Sequence, residues 1–155
     1  MKKLTTVLLT SLLVFGTAAC SNIDKTSADA PDQTGVTANA PTKSEAQQDQ
    51  KDAQSQIRRK QLEEDIQARE QRNDFFNNGS VKNRPDSDIA SEVRDKLEMN
   101  LPASELTIES QQGIVTVAGT VPTSQQLAKI KSLSEQIKGV RGVNVEANVV
   151  AAGLN

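Results

Sequence analysis

The sequence predicts an α+β domain of order α-β-β-α-β over residues 86–152, a three-stranded sheet packed on two helices. A polar tether, helical or disordered, is expected to precede it. Three observations carry this prediction. Apolar residues recur at helical spacing after Asp88 and again after Ser124. They alternate through Glu105–Val121 and Val143–Val149. Between Ser21 and Pro85, by contrast, no apolar period is sustained.

In chain order, Lys2 and Lys3 precede an apolar stretch from Leu4 to Phe15, and Gly16-Thr17-Ala18-Ala19 then leads to Cys20. This order reads as a secretory signal peptide over 1–19, since the apolar run is too short for a permanent span. Ala18, Ala19 and Cys20 resemble the end of a bacterial lipobox, with Thr17 where an aliphatic residue is usual. That resemblance implies acylation of Cys20, and stable anchoring takes more than one acyl chain. Ser21 in place of Asp is similar to an outer-membrane address in Gram-negative envelopes. The alternative is an ordinary cleaved signal that leaves a free thiol.

Residues 20–42 are rich in Asp, Ala, Thr, Gln and Pro and read as a disordered linker. From Lys43 to about Asn73 the chain holds strong helix formers without Gly or Pro, about 45 Å of helix, and residues 43–76 are expected to form a polar spacer helix. Leu62 and Ile66 share a face while Ile57 lies opposite, so a coiled-coil heptad is not sustained. Phe75 and Phe76 are expected to dock the spacer against the following domain, with a dip into a membrane interface as the alternative. Residues 77–85 form a connecting loop.

Within the domain, Asp86-Ser87-Asp88 offers helix caps, and Ile89, Val93 and Leu97 form one stripe closed by Asn100 and Pro102. Leu106 and Ile108 alternate in a strand, Gln111-Gln112-Gly113 turns, and Val115 and Val117 alternate in the next strand. A glycine at 113 suits a positive φ, and one at 119 inside a strand suggests a bulge or the close approach of another backbone. Thr123 or Ser124 caps a second helix whose stripe is Leu127, Ile130, Leu133, Ile137 and Val140, ended by Gly139 and Gly142. Val143, Val145, Ala147 and Val149 then alternate in the last strand.

Composition excludes several functions. The chain has no His and one Cys, so it holds no His-based triad, no Cys/His zinc cluster and no intramolecular disulfide. Its 18 basic and 20 acidic residues nearly cancel, which argues against nucleic-acid binding. Asp86 and Asp88 read as helix capping rather than a metal site, and neither Ser110 nor Ser124 has a His to activate it. No enzyme, cofactor, metal site or small-molecule substrate is expected.

Three blocks carry a family resemblance: Asp88-Ile89 with Val93 and Leu97; Gly113-Ile114-Val115-Thr116-Val117-Ala118-Gly119-Thr120-Val121; and Gly139-Val140-Arg141-Gly142-Val143-Asn144-Val145. Together they resemble the BON domain of bacterial envelope proteins, here in a single copy where many members carry two. The resemblance implies a membrane-associating module, proposed to contact phospholipid and tied to envelope integrity and osmotic stress. Applied here, it implies an exported lipoprotein anchored through Cys20, periplasm-facing on the outer membrane of a Gram-negative cell.

The partner implied is membrane phospholipid, met through the acyl anchor and the domain. Lys131, Lys138 and Arg141 are the candidate contacts, although residues 86–150 hold nine acidic residues against six basic ones. The competing expectation is a tethered protein-interaction or scaffold module with an envelope protein partner, reached through a sheet edge or helix groove.

Overall fold

The computed structural model describes residues 22–36 and 41–150. The expected signal peptide and Cys20 lie outside the described residues. Within them the chain runs β1 (Ile23–Lys25), α1 (Lys43–Gln54), α2 (Gln56–Asn77), α3 (Asp86–Asn100), β2 (Glu105–Gln111), β3 (Ile114–Val121), α4 (Ser124–Ser134) and β4 (Gly142–Val149). From α3 onward this is the predicted α-β-β-α-β order, and the fold is α+β.

The sheet has four strands rather than three, in the order β1-β2-β3-β4. The added strand comes from the segment expected to be a disordered linker. Ile23, Asp24 and Lys25 pair antiparallel with Glu109, Ile108 and Thr107. Backbone groups on the open edge of β2 find partners this way, which composition cannot foretell. Beyond β1 the chain folds over the outward side of β2: the Thr107 hydroxyl donates to the Pro31 carbonyl, and the Thr34 hydroxyl donates to the Glu109 carboxylate at 2.7 Å. β3 pairs antiparallel with β2 and parallel with β4, and α4 makes the crossover that parallel pairing requires.

The core is small and aliphatic. Ile89, Val93 and Leu97 of α3 meet Leu106 and Ile108 of β2, Val115, Val117 and Val121 of β3, Ile130 of α4 and Ala147 of β4. Thr123 caps α4 by accepting the Gln126 N–H at 3.2 Å. That helix ends at Ser134, short of the expected stripe. Turns from Gln136 to Leu133 and from Ile137 to Ser134 carry the chain onward, so Ile137 reaches the core from a loop.

The expected spacer is neither one helix nor a spacer. Ser55 is extended (φ −62°, ψ 127°) and separates α1 from α2. The bend lets α1 bury Ala46 and Ala53, while α2 buries Leu62 and packs along α3. α1 begins with a reciprocal cap, Thr42 accepting from the Glu45 N–H and Glu45 accepting from the Thr42 N–H.

One buried carboxylate has a measurable consequence. Glu105 is 3% exposed and its Oε1 lacks a hydrogen-bond partner among the described residues. Burial, reinforced by Asp29, Asp49 and Glu45, pushes its carboxyl up to about 7. A raised acid contributes stability in full below its ordinary range near 4.5 and loses that contribution as pH rises through 7. Asp95, pushed up to about 6 by burial against Arg94 and Arg69, acts with the same sign. The urea midpoint is therefore expected to rise between pH 8 and pH 5.5. Glu105→Gln should flatten that rise and stabilise the protein at pH 8 by on the order of 2 kcal/mol. A midpoint that falls on acidification over this range contradicts the assignment.

Candidate functional site

Lys138 and Arg141, two of the three candidate contacts, lie in the loop between α4 and β4. They line one side of a cleft of about 760 Å³ whose other side is Val81, Lys82 and Asn83. Lys131 does not line that cleft. Its helical spacing to Lys138 assumed an unbroken helix, and the end of α4 at Ser134 removes it. Lys131 instead lies 3.9 Å from Glu135 on its own exposed face.

The two candidate contacts at the cleft, Lys138 and Arg141, differ in freedom. The Lys138 ammonium donates to Glu70 of α2, and that pairing raises its pKa above the ordinary lysine value. Arg141 is exposed and has no acidic side chain within 4 Å among the described residues. Its backbone N–H donates to the Gly113 carbonyl at 2.7 Å.

That bond ties the loop to the β2–β3 turn, which Asp86 holds from the other side. Asp86 accepts from the Ser110 hydroxyl at 2.8 Å, the Gln112 N–H at 2.7 Å and the Gly113 N–H at 2.8 Å. Burial opposes its ionisation, but the Gly113, Ser110 and Gln112 donors outweigh it and hold the carboxyl below its ordinary value. The expected role of Asp86 as a helix cap is thus corrected. Pro85 occupies the cap position without a side-chain bond, and Asp86 clamps the hairpin turn.

Beneath the cleft lies a charged cluster that sequence reasoning missed. The Arg84 side chain is wholly buried. It donates to both oxygens of Glu92, to Glu70 at 2.9 Å and to the Lys138 carbonyl at 2.7 Å. Burial pushes Glu92 up to about 7, against the opposing pull of Arg84. In Glu70 the bonds from Lys138 and Arg84 overcome burial and lower the pKa. Further pairs join α2 to α3: Arg58 to Glu98 at 2.7 Å, and Arg69 and Arg72 to Asp88 at 3.7 and 3.2 Å. The available signal was the spacing Asp88, Glu92, Asp95 and Glu98, an acidic stripe beside the apolar one, with Arg58, Arg69 and Arg72 to match it on α2.

Phe75 and Phe76 do not dock on the domain as expected. They are 80% and 72% exposed and pack edge-to-face on each other, with ring centroids 4.9 Å apart. Asn73 takes the inward position at that turn, buried with its amide donating to the Ser80 carbonyl. At about 100° per residue this places the two rings off the packed face.

Among the described residues no group of three or more His, Cys, Asp or Glu side chains is arranged to hold a metal ion. No helix among them is long and apolar enough to cross a membrane. In comparison with known families, residues 85–151 match the one described as BON domain. No curated protein and no solved structure matches the chain.

Proposed function

The chain carries a single BON domain over residues 85–151, and from that premise we propose an envelope protein, lipid-anchored at Cys20, whose domain contacts phospholipid headgroups. BON domains are non-catalytic binding modules associated with phospholipid and the cell envelope. The finer reading adds the anchor, a role in envelope integrity or osmotic stress tolerance, and a contact surface on this chain. The observation that supports it is the cleft edge where Lys82, Lys138 and Arg141 gather. Cationic side chains near an anionic bilayer each contribute about 1 kcal/mol, screened by salt.

Arg141 is expected to matter more than Lys138, whose charge is shared with Glu70. In vesicle sedimentation of a Cys20→Ser chain, Arg141→Glu should weaken binding to anionic vesicles by roughly tenfold. Lys131→Glu should change it little. Equal effects from 131 and 141 would favour diffuse charge over this site.

A second reading has one specific observation behind it. β4 is an edge strand with Val145 and Val149 each about two-fifths exposed (38% and 42%). An extended segment of an envelope protein adding to that edge would make the domain a protein-interaction module.

A further inference from the structure

Five parts of the molecule meet at one end. β1 runs antiparallel to β2, and the Asn22 carbonyl accepts the Ser110 N–H at 3.1 Å, so the chain comes into the sheet beside the β2–β3 turn. Asp86 at the start of α3 and Arg141 of the last loop bond to that same turn. α2 lies antiparallel to α3, as Arg58 meets Glu98 near one end and Arg72 meets Asp88 near the other. Phe75 and Phe76, at the C-terminal end of α2, therefore belong to the same end as the turn.

This end combines exposed aromatic and aliphatic side chains with cations. It carries the exposed Phe75–Phe76 pair, Val81 at 53% exposure and Ile114 at 40%. Lys82, Lys138 and Arg141 lie among them. Exposed aromatics beside basic side chains match the layered polarity of a bilayer interface, where rings sit at headgroup depth and cations meet lipid phosphates. Asn22, the first of the described residues at the N-terminal side, lies at this end through its bond to Ser110.

We propose that this end is the bilayer-facing surface of the protein, with Phe75 and Phe76 seated in a phospholipid interface and Lys82 and Arg141 beside them on headgroups. The proposal rests on the membrane reading above and specifies its orientation. It also makes α2, which precedes the BON domain, part of the membrane contact. The strand at Ile23–Lys25 holds the domain against the bilayer rather than out on a long tether. The occupant is a bilayer because exposed rings and cations share the end at which Asn22, two residues after the proposed attachment residue in sequence, enters the sheet.

The chain has no Trp, so a single introduced indole reports depth without background. The chain from Cys20 onward retains every described residue. It can be coupled through its only thiol to a maleimide phospholipid in anionic vesicles whose acyl chains carry bromine. Phe76→Trp is expected to lose emission intensity and shift to the blue. Gln125→Trp is exposed on α4, at the end where the Gln126 amide bonds to the Pro102 carbonyl, and is expected to do neither.

Equal quenching of the two variants, or quenching of neither, overturns the proposed surface. Circular dichroism of both variants checks that the fold is retained. The coupling supplies attachment chemically, so a negative result counts against the orientation. Absence of palmitate incorporation at Cys20 in cells would count instead against the anchor.

Discussion

Replacing Gly119 by alanine is expected to unfold most of the domain at room temperature. Gly119 has φ +118°, and a Cβ there would lie 2.0 Å from the Glu105 carbonyl oxygen. The atoms it would meet belong to the backbone of the central β2–β3 ladder, where Gly119 faces Leu106. No side chain can swing aside, so the strands must part beside Leu106, a buried core residue. The expected loss is roughly 4 kcal/mol or more, comparable to the whole stability of a domain this small. Gly35→Ala serves as the control: φ is +81° but nothing lies within 4 Å. It should cost about 1–2 kcal/mol from backbone strain alone. Urea titration followed by circular dichroism distinguishes the two, and equal midpoints would show that the β2–β3 contact yields.

The second large effect belongs to Arg84→Met. Removing the guanidinium leaves Glu92, itself wholly buried, without its two charge-assisted bonds, takes the Lys138 carbonyl's bond away and leaves Glu70 with Lys138 alone. Breaking a buried pair from one side costs about 3–5 kcal/mol. The double variant Arg84→Met/Glu92→Leu should recover most of that loss, because a buried pair replaced by apolar groups of similar size is often neutral. The pH dependence gives an independent check. Glu92 is a raised acid, so its stabilising contribution fades as pH climbs through about 7. Without Arg84 the carboxyl is raised further, and the Arg84→Met deficit should be larger at pH 8 than at pH 5.5. A deficit independent of pH would mean that the lost packing of the arginine stem dominates.

The legible parts of the fold were those in which one residue pattern maps to one buried face. Ile89, Val93 and Leu97 marked α3, and the alternation around Val115 and Val117 marked β3. Gly119 reads from the sequence as a bulge or a point of close backbone approach, and the Glu105 carbonyl beside it shows the close approach. β1 was not legible. Ile-Asp-Lys is too short for an alternation signal, and its pairing depends on an open edge more than eighty residues away in sequence. The docking of α2 was hidden for a related reason, since charges rather than apolar periodicity join it to α3. Polar composition from Lys43 to Asn77 reads as a solvated helix, whether or not its arginines meet buried carboxylates.

At the candidate site, Lys138 and Arg141 were named from the sequence and lie together, because the BON-like block Gly139–Val145 fixes their loop. The pairing of Lys138 with Glu70 was not legible, since it needs the position of α2. Phe75 and Phe76 drew notice as the aromatics beyond the signal region, but their exposure follows from Asn73 taking the inward position, which hydrophobicity alone would have assigned to a ring.

The central claim is that the folded domain touches phospholipid by itself. Flotation of the Cys20→Ser chain with anionic and with zwitterionic vesicles tests it most directly. The account predicts co-flotation with the anionic vesicles, reduced by salt, and little with the zwitterionic ones. No flotation with either, from a chain that circular dichroism shows to be folded, would contradict it and leave the β4 edge as the surface through which the protein acts.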